Sequence, residues 1–262
     1  MIYRIHSFLS YIINGKTKYR LHSPFVFNFV KNTIADNRKF YAFDEIFSLK
    51  NLSKRSNKKI TITDLGAGSN GNIKKERTVK DIVNQSAITK KYGELLFKVV
   101  NLYQPKTIIE LGTCVGIGTL YMAAGNTNAK VYTIEGDPNI AAIAQKNFSL
   151  LPNYSKNINS VIGNFDDVLE STIKNIDTID FAFIDGNHRK EPTLRYFNQI
   201  IEKCNSNSIL VFDDIHWSKE MGEAWEEIKQ NKKVTLTLDL YRLGFVFFVE
   251  DRKEVEHFKL YF

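Results

Sequence analysis

Two stretches of this 262-residue chain end a β-rich run in an acid followed by closely spaced glycines. Residues 60–70 read ITITDLGAGSN, with Asp64 ahead of Gly66 and Gly68. Residues 107–118 read TIIELGTCVGIG, with Glu110 ahead of Gly112, Gly116 and Gly118. Glycines in such a place let the backbone turn from strand to helix and approach a ligand closely. A nucleoside held on the turn also needs an acid at the end of the next strand, about 20 residues on, to take the ribose hydroxyls. From Gly112 the next β-rich run, KVYTIE, ends in Glu135, 23 residues later; from Gly66 the next one ends at Glu110, 44 residues later. The second turn therefore has the spacing of a binding site. Its glycines do not spell the GxGxxG of pyrophosphate-binding turns, which points to a nucleoside without phosphates.

A second group of reactive side chains lies further on. Asp185 ends the run IDFAFID, and Asp213 and Asp214 end SILVFDD. In a parallel sheet the C-terminal ends of strands meet at the ligand crevice. Three carboxylates converging there repel one another unless a cation joins them, and an all-oxygen set suits a hard ion such as Mg2+. The plainer reading is that Asp185 shapes the crevice and that Asp213 or Asp214 caps the following helix. His188, three residues after Asp185, carries an imidazole that titrates near neutrality and suits proton abstraction from a hydroxyl. His216 is its rival, and Asp185, His188 and His216 would also spell a two-histidine, one-carboxylate iron set, a less favoured alternative. Of the tryptophans, Trp225 reads as core and Trp217 as a wall beside Asp213 and Asp214.

The elements that must position these residues follow a regular rhythm from residue 107. Strand-like TIIEL, KVYTIE, INSVIG, IDFAFID and SILVFDD each precede a helix-like segment, and Asp137-Pro138 opens one of those helices as cap and first turn. Two further β-runs, VTLTLDLY and GFVFFVE, are joined at Arg242-Leu243-Gly244 and read as an antiparallel hairpin. The expectation is a Rossmann-like, doubly wound α/β fold with seven strands, mostly parallel, helices on both faces and a C-terminal hairpin. Residues 1–90 read as a basic, mainly helical extension or lid, with Ser23-Pro24 starting a helix and KKERTVKDIVNQSAI also helical. Residues 91–262 read as the binding domain, and KKYGELLFKVVNLY sets Leu95, Leu96, Val99, Val100 and Tyr103 on one helical face.

The runs IIELGTCVGIGTLYMA, VYTIEGD, DFAFIDGNH and ILVFDDIHW, taken together, resemble the motif series of class I S-adenosylmethionine-dependent methyltransferases. More narrowly they are similar to the O-methyltransferase branch of catechol-type and macrolide-sugar-type enzymes. The resemblance covers about residues 91–250. Residues 1–90, with DLGAGS, resemble the front of a group of bacterial methyltransferase-like proteins. The resemblance implies S-adenosylmethionine as cofactor, with Glu110, Gly112, Thr113 and Gly116 around its amino-acid end. It puts Glu135 on the ribose, Asn164 and Phe165 beside adenine, and Asp185 at the edge of the same site. It further implies Mg2+ at Asp185, Asp213 and Asp214, and His188 as base. The family often has an acid where this chain has Asn164, and an amide-bearing residue where it has the second of two aspartates.

Composition bounds the rest. Apolar content of 43% and charged content of 25% are those of a globular chain. Cys114 and Cys204 have neither metal nor disulfide spacing, and no signal-peptide pattern or membrane-length apolar run is legible, so a reducing, cytoplasmic location is expected. Residues 1–100 carry 19 Lys/Arg against 7 Asp/Glu, and the remainder 17 against 22. A basic front suits nucleic acid, an anionic membrane surface or an anionic substrate, or is a solvated face. The reading that joins these observations is O-methylation of a hydroxylated small molecule, with DLGAGSNGN as a substrate-side lid charged by Lys74, Lys75 and Arg77. RNA methylation is the alternative suggested by the basic front, although no NPPY-type motif or RNA-binding module is legible. A cofactor-binding protein without turnover is another, and a homo-oligomer is compatible with all three.

Overall fold

The computed structural model describes residues 2–17, 22–63, 74–250 and 254–262. In chain order the elements are α1 (Ile2–Asn14), α2 (Pro24–Asn32), α3 (Tyr41–Ser53), β1 (Lys59–Thr63), β2 (Lys74–Thr78), α4 (Val79–Gln85) and α5 (Lys90–Tyr103). They continue with β3 (Thr107–Leu111), α6 (Ile117–Gly125), β4 (Lys130–Glu135), α7 (Pro138–Leu150), α8 (Pro152–Ser155), β5 (Ile158–Ile162) and α9 (Phe165–Ile173). The last are β6 (Phe181–Ile184), α10 (Lys190–Ile201), β7 (Ile209–Phe212), α11 (Lys219–Lys229), β8 (Leu236–Asp239), β9 (Gly244–Phe247) and β10 (Glu256–Lys259). The chain forms two compact units: residues 36–174, and residues 1–35 with 175–262. The basic front is shared between them, its first two helices in one unit and α3 to α5 in the other.

In the unit of residues 36–174, β3, β4 and β5 run parallel in that order. Their register pairs Leu111 with Ile134 and Glu135 with Ile162. All three C-terminal ends, and the turns that follow them, therefore share one edge. Helix α5 packs on α6 and buries Leu95, Leu96, Val99 and Val100, the stripe expected from its apolar spacing. Helix α7 starts where the sequence says it should: Asp137 Oδ1 accepts from the backbone N–H groups of Asn139 and Ile140 at 2.8 and 2.9 Å.

The run ITIT does not lie in the parallel sheet. It is β1, paired antiparallel with β2 in a sheet of two strands. This corrects the helical reading of KKERT. Those residues extend along β1, and the helix begins only at Val79, after Thr78 Oγ1 accepts from Asp81 N–H at 3.1 Å. Residues 64–73, which include Gly66 and Gly68 and on which the lid reading rests, lie outside the described residues.

In the other unit the strand order is β10-β8-β9-β7-β6. β6 and β7 are parallel, with Ile184 opposite Phe212, so Asp185 and Asp213 leave the sheet side by side. β9 runs antiparallel to both β7 and β8, and Gly244 is level with Phe212 and Asp239. The turn holding Arg242 is thereby brought to the same end as Asp185 and Asp213. β10, parallel to β8, was not expected, because its alternation of charged and apolar residues is short and its pairing is long-range. Trp225 is buried against Phe212, as expected for core, and Phe29 packs edge-on to Phe245 and Phe247.

Candidate active site

The turn after β3 is built to a shape that glycine alone fits easily. Gly112 has φ +103° and Gly116 φ +79°, both in the left-handed region. A Cβ on Gly116 would also lie 2.5 Å from the Phe148 ring. The turn is tied to the end of β4: Gly112 and Thr113 donate their N–H groups to Ile134 O at 3.0 and 3.2 Å. Cys114, itself at φ +49°, donates its N–H to Glu135 Oε2 at 2.8 Å, and Glu135 Oε1 accepts from Asp137 N–H at 3.0 Å. The glycine turn and the acid 23 residues after Gly112 therefore form one hydrogen-bonded structure. Burial, offset in part by these N–H groups, raises the Glu135 pKa above the ordinary carboxylate range. Gly136 N–H also binds this carboxylate, so three backbone donors orient it and part of its acceptor capacity is left for a ribose hydroxyl.

Glu110 lies inside the protein. Its Oε2 accepts from Thr119 Oγ1 at 2.5 Å and Thr133 Oγ1 at 2.6 Å. Thr133 and Thr113 hydroxyls are 2.5 Å apart. A hydroxyl has one proton, and that of Thr133 is given to Glu110, so Thr113 is the donor in this pair. Burial pushes the Glu110 pKa up to about 7. The chain Thr113–Thr133–Glu110–Thr119 fastens the turn to β4 and α6 from beneath. Asn164 and Phe165 follow β5 at the same sheet edge, where Asn164 caps α9 through Oδ1 and Asp166 N–H at 3.2 Å.

The other reactive group belongs to the second unit. His188 Nε2 is 3.5 Å from Asp185 Oδ1. The carboxylate of Asp213 is buried and engaged by Arg242, whose Nε and Nη2 donate to Oδ1 and Oδ2 at 2.8 and 2.6 Å. This is a bidentate, charge-assisted pair. Asp214 is 3.5 Å from the same guanidinium, and its pKa is raised by burial and by Asp213, against the opposing pull of Arg242. Asp213, its neighbour above all, in turn holds the Arg242 pKa higher than usual. The backbone here is contorted: Asn187, His188, Asp214 and Tyr241 all have positive φ, between +30° and +69°. Non-glycine residues in that region cost roughly 1–3 kcal/mol each and concentrate at functional sites.

The metal expectation for Asp185, Asp213 and Asp214 is not what this geometry supports. The repulsion among the carboxylates is real, but a guanidinium of the chain relieves it and sets a positive charge where the cation would sit, while Asp213 Oδ1 also accepts from Asp214 N–H at 2.9 Å. Among the described residues no group of three His, Cys, Asp or Glu side chains is disposed to hold a metal ion. The iron alternative fails likewise. His216 turns away to Asp239, with Nε2 at 2.9 Å from Oδ2, and stacks on Tyr241, while its Nδ1 is buried without a hydrogen-bond partner among the described residues. Arg242 was legible in the sequence only as part of a hairpin turn. Its proximity to Asp213 depends on the β7–β9 register, for which no local signal exists. Trp217 is exposed, with Arg4 stacked over its ring at 4.4 Å.

Residues 109–215, which contain the glycine turn, Glu135, Asp185, Asp213 and Asp214 but not Arg242, match the family described as methyltransferase domain. Residues 109–215 are a methyltransferase domain. A catechol O-methyltransferase of Niastella koreensis is 30% identical over 131 residues, which are 49% of this chain and 58% of that protein. The chain thus spans little more than half the length of that relative. The crystal structure of the O-methyltransferase TomG from Streptomyces achromogenes, involved in tomaymycin synthesis and solved with S-adenosylmethionine, is similar with a TM-score of 0.57 and 15% identity. The match covers 81% of this chain and 91% of that one. An O-methyltransferase from Bacillus cereus in complex with S-adenosylhomocysteine gives a TM-score of 0.55 at 18% identity, over 84% and 99% of the chains. At such identities the likeness is one of fold, and it places the methyltransferase domain in a Rossmann-like architecture.

Proposed function

We propose that the chain transfers a methyl group from S-adenosylmethionine to an oxygen of a hydroxylated small molecule. The observation that carries this reading is the closed structure of glycine turn and Glu135, joined through Cys114 N–H at 2.8 Å inside the methyltransferase domain. Gly112 and Gly116 leave room along the turn, Glu135 takes the ribose, and Asn164 and Phe165 flank adenine. Glu110 and Thr113 act through position, holding the turn in its left-handed course. S-adenosylmethionine, when bound, would supply an electrophilic methyl on its sulfonium, and the methyl–sulfur bond would break to leave S-adenosylhomocysteine. His188 takes the proton of the acceptor hydroxyl as the new carbon–oxygen bond forms, and Asp185, 3.5 Å from its Nε2, favours the charged imidazolium that results. Arg242 keeps Asp213 and Asp214 compatible with that charge pattern. Most of the rate would come from alignment of the two reactants.

The test is calorimetric titration of S-adenosylhomocysteine into wild type and Glu135→Ala. Wild-type binding weakened about tenfold or more by the substitution, the scale of a lost hydrogen bond to a charged group, supports the assignment. Equal affinities would remove Glu135 from the site.

A further inference from the structure

Helix α1 is folded onto the protein by its polar side. Tyr11 is buried, and its hydroxyl donates to Leu260 O at 2.5 Å. Ser7 is buried and Tyr3 lies against Gly222. The opposite side carries Ile5, Phe8, Leu9, Ile12 and Ile13, all exposed: Ile5 by 56%, Leu9 by 54% and Ile13 by 79%. At about 100° per residue these five side chains form an arc of roughly 140°, wider than the stripe a surface helix needs for packing on a core. An amphipathic helix would ordinarily bury this face and leave the tyrosines and serines outside. Here the seating is reversed, so the apolar stripe is presented outward.

Charge identifies what would cover it. Residues 1–35 contain five Lys/Arg and no Asp or Glu. Among the described residues, Arg4 flanks the stripe at its start, and Lys16, exposed, follows its end. Lys259 reaches Ser10 Oγ at 3.5 Å from the neighbouring strand. Exposed Trp217 under Arg4 and exposed Tyr261 beside Ile12 O put aromatic rings at both ends. A second copy applied to this face would meet its own cations. An anionic lipid surface meets both features: acyl chains accept the isoleucine and leucine side chains, headgroups accept the lysines and arginines, and aromatic residues sit at the boundary.

We infer that α1 is an interfacial helix by which this protein binds the surface of an anionic lipid bilayer. The inference is independent of the methyltransferase reading and extends it. Phe8 packs edge-on to Tyr241 at 5.1 Å, and Tyr241 donates its hydroxyl to Arg4 O at 3.2 Å. Helix α1 is thus seated on the same turn that carries Arg242. The lipid surface would lie beside the proposed acceptor end of the domain and favour acceptors dissolved in it.

The experiment is co-sedimentation of the full chain with vesicles of phosphatidylglycerol and phosphatidylcholine, and with pure phosphatidylcholine, for wild type and Leu9→Ser/Ile13→Ser. Both substituted positions are exposed, so the double variant should keep the thermal midpoint and S-adenosylhomocysteine affinity of wild type. Expected is wild-type binding to the mixed vesicles, weaker binding to phosphatidylcholine alone, and a loss of about tenfold or more in the variant. Absence of wild-type binding, undiminished binding by the variant, or equal binding to both vesicles would overturn the inference. So would sedimentation velocity showing a wild-type dimer that the variant converts to monomer, since a second copy would then cover the stripe.

Discussion

Glu110 shows how one buried side chain couples the glycine turn to pH. Its pKa rises from the ordinary 4.5 to about 7 because burial disfavours the charge more than two threonine hydroxyls favour it. The folded state then binds a proton that the unfolded state has released between those pH values. Its contribution to stability is full below about pH 4.5 and is lost as pH rises through about 7, a change of about 3 kcal/mol. Glu110→Gln removes that titration. The decline in stability from pH 5 to pH 8, measured by urea unfolding, should be smaller in the variant; equal declines would mean that Glu110 is ionised throughout. Arg242 makes the opposite kind of prediction. Arg242→Met leaves Asp213 buried and unpaired and should cost about 3–5 kcal/mol. Turnover in the presence of a strong chelator should equal that with added magnesium, because a guanidinium already answers Asp213. Loss of activity on chelation would restore a metal to the mechanism.

At the scale of elements, Asp137 joins three of them. Its Oδ1 caps α7, while Oδ2 accepts from Thr63 N–H at 2.6 Å at the end of β1. The side chain therefore fixes the start of α7, the exit of β4 and the edge of the small β1–β2 sheet together. Asp137→Ala should lower stability by about 1–2 kcal/mol, the range for a lost helix cap. Asp167→Ala, at an exposed position in the first turn of α9, should change it by less than about 0.5 kcal/mol. Comparable losses in the two variants would show that Asp137 is only one more surface acid. The cap was legible from Asp-Pro ahead of an apolar-periodic run, because capping is local chemistry. The bond to Thr63 was not, since β1 is 74 residues away and KKERT reads as helix until its pairing with β1 is known.

At the scale of the molecule, two kinds of charge coexist. The cations of residues 1–35 are surface charges whose attraction to an anionic bilayer is screened by salt. The hydrogen bonds of the glycine turn and Glu135 are partly buried and short-range. Raising salt from about 50 to about 500 mM should therefore weaken vesicle binding strongly and leave S-adenosylhomocysteine affinity within about twofold. Parallel losses would place both ligands on one electrostatic surface. No described helix is long and apolar enough to cross a membrane.

The strand and helix rhythm after residue 107, the cap at Asp137 and the apolar face of α5 were all determined by sequence alone. Each depends on periodicity or on neighbours within one βα step, and such patterns are written along the chain. Tertiary structure alone decided that Arg242 neutralises Asp213, that Glu110 lies beneath the turn, that His216 belongs to Asp239, and that α1 shows its apolar stripe to the outside. Those outcomes depend on strand register and on which helix face is seated. Register and seating are set by contacts between residues far apart in sequence, where the same local pattern is compatible with more than one partner.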